Sequence, residues 1–155
     1  NQPRGKMEPI EKKIIVRKLQ IKDAYAISEI YSLITQTPLN IDFKKVVEEH
    51  VLKEDHEAHF VAEYDGEVVG FMLSYFLPLG FGAKKSAYIA TMGVNPKYMG
   101  KEIGAKMTRD IFKFYASQGI TGVYTSVRWD STDLLSFCKT MGFERSEYIN
   151  LKKNL

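Results

Sequence analysis

The apolar positions change period repeatedly along the chain, and each change marks an element. Residues 14–19, Ile-Ile-Val-Arg-Lys-Leu, are β-leaning and predict a first strand. From Lys22 to Thr35, the residues Ala24, Ile27, Ile30, Tyr31 and Ile34 recur at the spacing of one helix face. Thr37-Pro38 ends that helix, because a residue before proline is pushed out of the α region. Asp42 then predicts the cap of a second helix with Phe43, Val46, Val47, His50 and Val51 on or near one face. Ala58 to Glu63 and Glu67 to Leu77 read as strands around Tyr64-Asp65-Gly66, and Asp-Gly between apolar runs is a hairpin signal. A loop, Leu79-Gly80-Phe81-Gly82, leads to a strand from Ser86 that stops at Val94, before Asn95-Pro96. Ile103, Met107, Ile111 and Phe114 line a helix from about Lys101 to Ser117, ended by Gly119. Gly122 to Val127 is strand-like. A last helix, capped by Asp130 or Ser131, carries Leu134, Leu135, Phe137, Cys138 and Met141 and closes at Gly142. Phe143 to Asn150 reads as a final strand. The predicted order is β-α-α-β-β-β-α-β-α-β, an α/β (α+β) chain.

At 155 residues the chain suits one domain with its own core. Residues 13–155 are read as that domain. Residues 1–12 are polar and Pro/Gly-containing and lack the apolar run of a signal peptide, so they read as a flexible tail, an expression remnant or a linker from a longer chain. A net charge of +3, from 22 Lys+Arg against 19 Asp+Glu, with no dense basic block, argues against a nucleic-acid partner and fits an anionic cofactor. No apolar run approaches a membrane span. The single cysteine, Cys138, excludes an internal disulfide and points to a reducing, cytoplasmic setting. His50, His56 and His59 cluster in sequence but match no metal-ligand spacing, so no metal is expected. A Gly-x-Ser-x-Gly hydrolase elbow is also missing. Oligomeric state stays open; a homodimer is compatible with the sequence.

The most informative stretch is Val94 to Met107. A strand that turns through glycines into a helix aims free backbone N–H groups at one point, where the helix dipole is positive. That geometry suits a phosphate. Gly100 and Gly104 allow close approach of the backbone. The sequence Val-Asn-Pro-Lys-Tyr-Met-Gly-Lys-Glu-Ile-Gly resembles the cofactor motif of the GNAT superfamily of acyl-CoA-dependent N-acyltransferases, roughly V-x-P-x-Y-R-G-x-G-I-G. Val94, Pro96, Tyr98, Gly100, Ile103 and Gly104 match. Met99 stands where the family has Arg or Gln, and Glu102 where it usually has Gly. Leu134 to Phe143 resembles the family's closing A-x-x-F-Y-x-x-x-G-F pattern at Phe137, Gly142 and Phe143.

This resemblance implies a GNAT-like fold, a mixed and mostly antiparallel sheet flanked by helices. It also implies transfer of an acyl group, acetyl being the leading choice, from acetyl-CoA or another acyl-CoA to an amine in a ternary complex. The cofactor residues would be Met92, Gly93 and Val94 on the strand, Met99, Gly100, Lys101, Glu102, Ile103, Gly104 and Ala105 at the turn, and Ser131 and Phe137 on the last helix. Gly93 inside a strand fits a bulge or a splay. Glu102 is expected in the first helical turn, where the dipole favours a carboxylate.

The reaction also needs a base for the amine and an acid for the leaving thiolate. The family's tyrosine in the closing motif is replaced by Cys138. That thiol is a candidate acid, although a small buried apolar role is the more ordinary one. Tyr124 is a stand-in for it, or a half-buried strand aromatic. Glu63 is a candidate base, or part of a solvated face. His59, Tyr75 and Tyr88 complete the cleft candidates. The acceptor is expected between the first two helices, about residues 22–52, and the loop 77–85, near Asp42, Glu48, Glu49 and Asp55. The rival reading is a non-catalytic CoA-binding or sensor module.

Overall fold

The computed structural model describes residues 13–39, 41–50, 57–79, 84–100 and 102–155. Five strands form one sheet whose spatial order follows the chain: β1 (Ile14–Lys18), β2 (Glu57–Tyr64), β3 (Glu67–Pro78), β4 (Lys85–Val94) and β5 (Val123–Thr125). The first four pair antiparallel, and β5 joins β4 in parallel. Helices α1 (Ala24–Thr35) and α2 (Ile41–His50) separate β1 from β2. Helix α3 (Ile103–Ser117) provides the crossover from β4 to β5, and α4 (Thr132–Thr140) follows β5. This is the expected mixed, mostly antiparallel sheet flanked by helices.

Both faces of the sheet are covered, which is why its strands are almost continuously apolar. Alternation sends Phe60, Ala62, Met72, Ala87 and Ile89 to one face, and Val69 joins them from a bulge against β2; Ile103, Met107, Ile111 and Tyr115 of α3 meet them there. Val61, Phe71 and Leu73 face the other way, onto Ala24, Ile27 and Ile30 of α1. The α3 residues recur every four positions, so a single stripe is fully buried. Asp65 (φ 52°) and Gly66 (φ 80°) both take left-handed conformations. Two such residues form the hairpin turn whose twist matches the flanking strands.

Two polar clusters interrupt the core. The Tyr115 hydroxyl donates to Ser74 Oγ at 2.6 Å, and the Ser74 hydroxyl donates in turn to the Ala58 carbonyl. Burial pushes the Tyr115 phenol up to about 12, with the Ser74 hydrogen bond acting the other way. At the far edge, Arg17 donates to both carboxylate oxygens of Asp23, at 2.7 and 2.8 Å, and to Glu63 at 2.9 Å. The Gln20 amide also donates to Asp23. Desolvation raises the Asp23 pKa, but the bonds from Arg17 and Gln20 outweigh it and hold the carboxyl below its usual value.

Three expectations need correction. Phe143–Asn150 forms no strand: the segment meets β5 through side chains, with Tyr124 donating to Glu147 (2.9 Å) and Asn150 to Ser126 (2.5 Å). A ladder needs a run of free backbone groups in register, and β5 is only three residues long rather than spanning Gly122–Val127. Tyr148, Ile149 and Leu151 are consequently exposed. Helix α2 begins at Ile41, one residue before its expected cap Asp42. Lys101, Asp55, His56 and most of the loop from Leu79 lie outside the described residues.

The ion cluster gives a sign for acid unfolding. Because the Asp23 carboxyl is held below its ordinary value, its stabilisation is complete above the unfolded pKa of about 3.9 and is lost as pH falls through the lower folded value. Arg17→Ala strands two carboxylates, one of them buried, and should cost about 2–4 kcal/mol in urea unfolding at pH 7. That loss should shrink as pH is lowered through the carboxylate range. A variant as stable as wild type at pH 7 would mean the cluster contributes nothing.

Candidate functional site

The pairing of β5 with β4 is brief: Ala87 with Val123, Tyr88 with Tyr124, Ile89 with Thr125. Thr125 Oγ1 donates to the Ile89 carbonyl at 2.9 Å, closing this short ladder. Beyond it β4 runs on to Val94 with β3 on one side and, among the described residues, no strand on the other. The β3 register slips at the same point. Leu73 faces Thr91 and Ser74 faces Ile89, which leaves Ala90 unpaired as a bulge.

Past the bulge the ladder is regular. Gly93 opposes Phe71, and the Asn95 N–H donates to the Val69 carbonyl at 2.7 Å. In an antiparallel pair, alternate residues turn both main-chain groups to the same neighbour. Residues 93 and 95 therefore face β3, and the N–H and C=O of Met92 and Val94 face the open edge. Their side chains pack against the α3-side core. Gly93 lies in the splay, but the bulge is three residues earlier. Packing is tight at 93: a Cβ would displace the terminal methyl of Ile34 and lie 3.1 Å from the Phe71 ring.

The strand hands over to a short turn. The Asn95 side chain accepts from the Lys97 amide at 3.0 Å, and Pro96–Tyr98 make one 3-10 turn. Tyr98 anchors it to the β2–β3 hairpin. Its hydroxyl donates to Glu67 at 2.8 Å, and its ring meets Tyr64 edge-on at 5.7 Å. The Glu67 hydrogen bond raises the Tyr98 pKa. Gly100 follows at φ 82° and Glu102 at φ 61°.

Glu102 departs from expectation. It is the N-cap of α3 rather than a member of its first turn, and its carboxylate makes no capping bond. A left-handed backbone at this position explains why glycine suits it. The helical ladder starts with Lys106 N–H donating to the Glu102 carbonyl at 3.0 Å. The amides of Ile103, Gly104 and Ala105 precede it, at the positive end of the helix.

Gly104 sits where three elements meet: a Cβ there would be 3.4 Å from the Phe137 ring of α4 and 3.6 Å from Val94 Cγ2 of β4. The structure thus brings Val94, Gly104 and Phe137 together. Ser131 is the N-cap of α4 with no side-chain capping bond. Met99 projects outward, 67% exposed. The close approach of Gly104 to Val94 sets the helix end carrying the amides of 103–105 next to the end of β4. A phosphate could be held at the helix end and an amide-bearing arm along the open edge of β4.

The catalytic candidates are dispersed. Cys138 is buried on α4, and burial pushes its thiol upward. Tyr124 donates to Glu147, and that bond raises its pKa. Glu63 is held by Arg17 in the ion cluster. His59 is buried, its Nδ1 accepting from the Ser74 amide at 3.2 Å and its ring edge-on to Tyr75. The Tyr88 hydroxyl shares a 2.7 Å hydrogen bond with Ser126. Sequence reasoning missed three contributors: the Ala90 bulge, the Thr125 clamp and the Tyr98–Glu67 anchor. Of these only Tyr98 carried a signal, as a motif residue. Among the described residues no cluster of His, Cys, Asp or Glu is arranged to hold a metal ion, and no helix is long and apolar enough to cross a membrane.

The chain is similar to known proteins in sequence and in fold. A family model described as the acetyltransferase (GNAT) family matches residues 24–143. The chain is 29% identical over 96 residues to the mycothiol acetyltransferase of Amycolatopsis mediterranei (strain U-32), covering 60% of this chain but only 32% of that protein. It is 31% identical over 94 residues to the N-alpha-acetyltransferase RimI of Mycobacterium tuberculosis (strain ATCC 25618 / H37Rv), covering 61% of this chain and 56% of that one. The match therefore spans less than two thirds of either relative. An aminoglycoside acetyltransferase from an uncultured soil metagenomic sample, solved with sisomicin, has the same fold, with a TM-score of 0.78 over 94% of this chain and 99% of its own at 18% identity. With the family model covering most of the domain, this chain belongs to the GNAT acetyltransferase family.

Proposed function

We propose that the protein is an acetyl-CoA-dependent N-acetyltransferase that passes the acetyl group directly to a primary amine while both substrates are bound. One observation carries this reading: the unpaired edge of β4 at Met92 and Val94 ends beside the ladder-free amides of Ile103, Gly104 and Ala105. An anion with a long amide-bearing tail satisfies both sets of groups at once. In this reading the amides of Ile103–Ala105, with Gly100, hold the pyrophosphate of acetyl-CoA. Met92 and Val94 pair with the amides of the pantetheine arm, and Phe137 and Ser131 flank it. Met99 borders the turn.

When bound, the cofactor supplies a thioester carbonyl. A main-chain N–H at the open edge would donate a hydrogen bond to that carbonyl oxygen and so stabilise negative charge on it. Cys138 keeps its proton at neutral pH, which suits a donor to the departing thiolate. Tyr124 also stays protonated, although its hydroxyl is directed to Glu147. Glu63 serves Arg17 rather than the amine. A second reading, a CoA-binding module without turnover, draws support from the Glu102 carboxylate at the mouth of the anion site and from the burial of Cys138. Free-thiol release with a panel of amines separates the two.

Binding itself is tested by heat. Saturating CoA or acetyl-CoA, at a hundred times Kd, should stabilise by about 2.7 kcal/mol, or roughly 5–10 °C in Tm. Gly104→Asp should fold, as its Tm without ligand will show, yet lose that shift. An undiminished shift in the variant would remove the pyrophosphate from this turn.

Glu102→Gly is a second test. Relief of left-handed strain, about 1–2 kcal/mol, exceeds the entropic cost of glycine, about 0.5–1 kcal/mol. The ligand-free Tm should rise by roughly 2 °C, and the CoA shift should grow as a carboxylate leaves the anion site. A lower Tm with weaker CoA binding would mean that the carboxylate makes a contact of its own.

A further inference from the structure

Four tyrosines cross the sheet in a row. Tyr75 pairs with Tyr88 between β3 and β4, and Tyr88 pairs with Tyr124 between β4 and β5. The Tyr124 ring then meets Tyr148 of the C-terminal segment, centroids 5.8 Å apart. The neighbours fix the face. Phe76, Ala87, Ile89 and Val123 all pack on the α3 side, so alternation turns Tyr75, Tyr88 and Tyr124 to the opposite side. The three are half-buried, and Tyr148 is 47% exposed. Polar partners tether two of the rings at their tips: Tyr88 shares a hydrogen bond with Ser126, which also accepts from Asn150, and Tyr124 donates to Glu147.

The position of the row is informative. It crosses β4 one residue before the last β4–β5 pair, Ile89 with Thr125, after which the two strands part. A molecule resting on the rings has one end at the opening. The ladder-free amides belong to α3, so the tyrosine face is the side left for the second substrate. From Tyr88 to Met92 the strand advances roughly 10–13 Å at about 3.3 Å per residue, less whatever the bulge removes.

We infer that the tyrosine row is the acceptor-binding surface and that the acceptor is a primary amine on an aromatic body, an arylalkylamine; this rests on the acetyltransferase reading above. Tyrosine faces stack with an aryl ring and attract a cation through their quadrupole. An aryl group over Tyr88 and Tyr124, followed by a short alkyl chain, carries the nitrogen toward Met92. A sugar bearing several ammonium groups needs several carboxylates. Among the described residues the Glu147 carboxylate is bonded to the row and already accepts from Tyr124, so it is not a free partner for such a sugar.

The test compares phenethylamine and 4-phenylbutylamine with hexylamine and kanamycin, reading CoA release with acetyl-CoA in excess. The arylalkylamines should give kcat/KM about tenfold or more above the other two, since one aromatic pair contributes about 0.5–1.5 kcal/mol and the row offers more than one. Tyr88→Leu should raise KM for phenethylamine about tenfold, and Tyr88→Phe should stay within about threefold of wild type, because the ring is kept. Tyr148→Ala, at an exposed position, provides the same comparison should Tyr88→Leu not fold. The acetyl-CoA thermal shift should be unchanged in every folded variant. Equal or better use of hexylamine or kanamycin, or a KM indifferent to loss of the rings, would overturn the inference while an intact CoA shift leaves the acetyltransferase reading standing. Loss of the CoA shift in wild type would overturn both.

Discussion

A strand amide that leaves its ladder has to find another partner, because a desolvated N–H or C=O without one costs about 1–3 kcal/mol. The structure creates that situation at one place. The Thr125 side chain clamps β5 to Ile89, the Ala90 bulge follows, and β5 departs. Met92 and Val94 are left with main-chain groups facing outward. Water satisfies them at little cost, and a ligand with matching amides satisfies them better. Everything proposed for this protein depends on that short, early-ending parallel pair. A longer β5 would fill the edge and close the site.

The rest of the site is arranged to keep that edge and the start of α3 in a fixed relation. The turn between them holds itself through Asn95 and is tied to the β2–β3 hairpin through Tyr98 and Glu67. Gly104 lets α4 and β4 close in on the helix end, bringing Phe137 against it. The cost falls on Glu102, which adopts a backbone conformation that suits glycine. These constraints act on the backbone, so the side chains at 99 and 102 can depart from the family pattern while the geometry remains.

Much of this was legible in the chain. The four-residue spacing of Ile103, Met107 and Ile111, the Asp65-Gly66 turn and the run from Val94 to Gly104 are local signals, set by residues close in sequence. The element order up to the last helix followed from them, whereas the sixth strand read after it does not form. What stayed hidden depends on partners far away. Ala90 has no signature of a bulge, because a bulge is a mismatch between two strands. Phe143–Asn150 read as a strand, but β5 has too few free groups to pair with it. Glu63 looked like a free carboxylate until Arg17, 46 residues earlier, was seen holding it. Glu102 was misjudged because charge was weighed and backbone conformation was not.

The Arg17 cluster also bears on the order in which the chain assembles. Strands β2, β3 and β4 are linked by short connections and form contacts between near neighbours, the kind made fastest. Strand β1 must return across the whole α1–α2 segment to reach β2, and closing so long a loop carries an entropic penalty. Arg17 pairs at that seam with Asp23 on its own side and Glu63 on the other. The meander is then the seed, and β1 with its two helices docks afterwards, fastened by one guanidinium. The same topology implies that an opening at this seam would release the amino-terminal layer as a unit while β3 and β4 keep their amides paired.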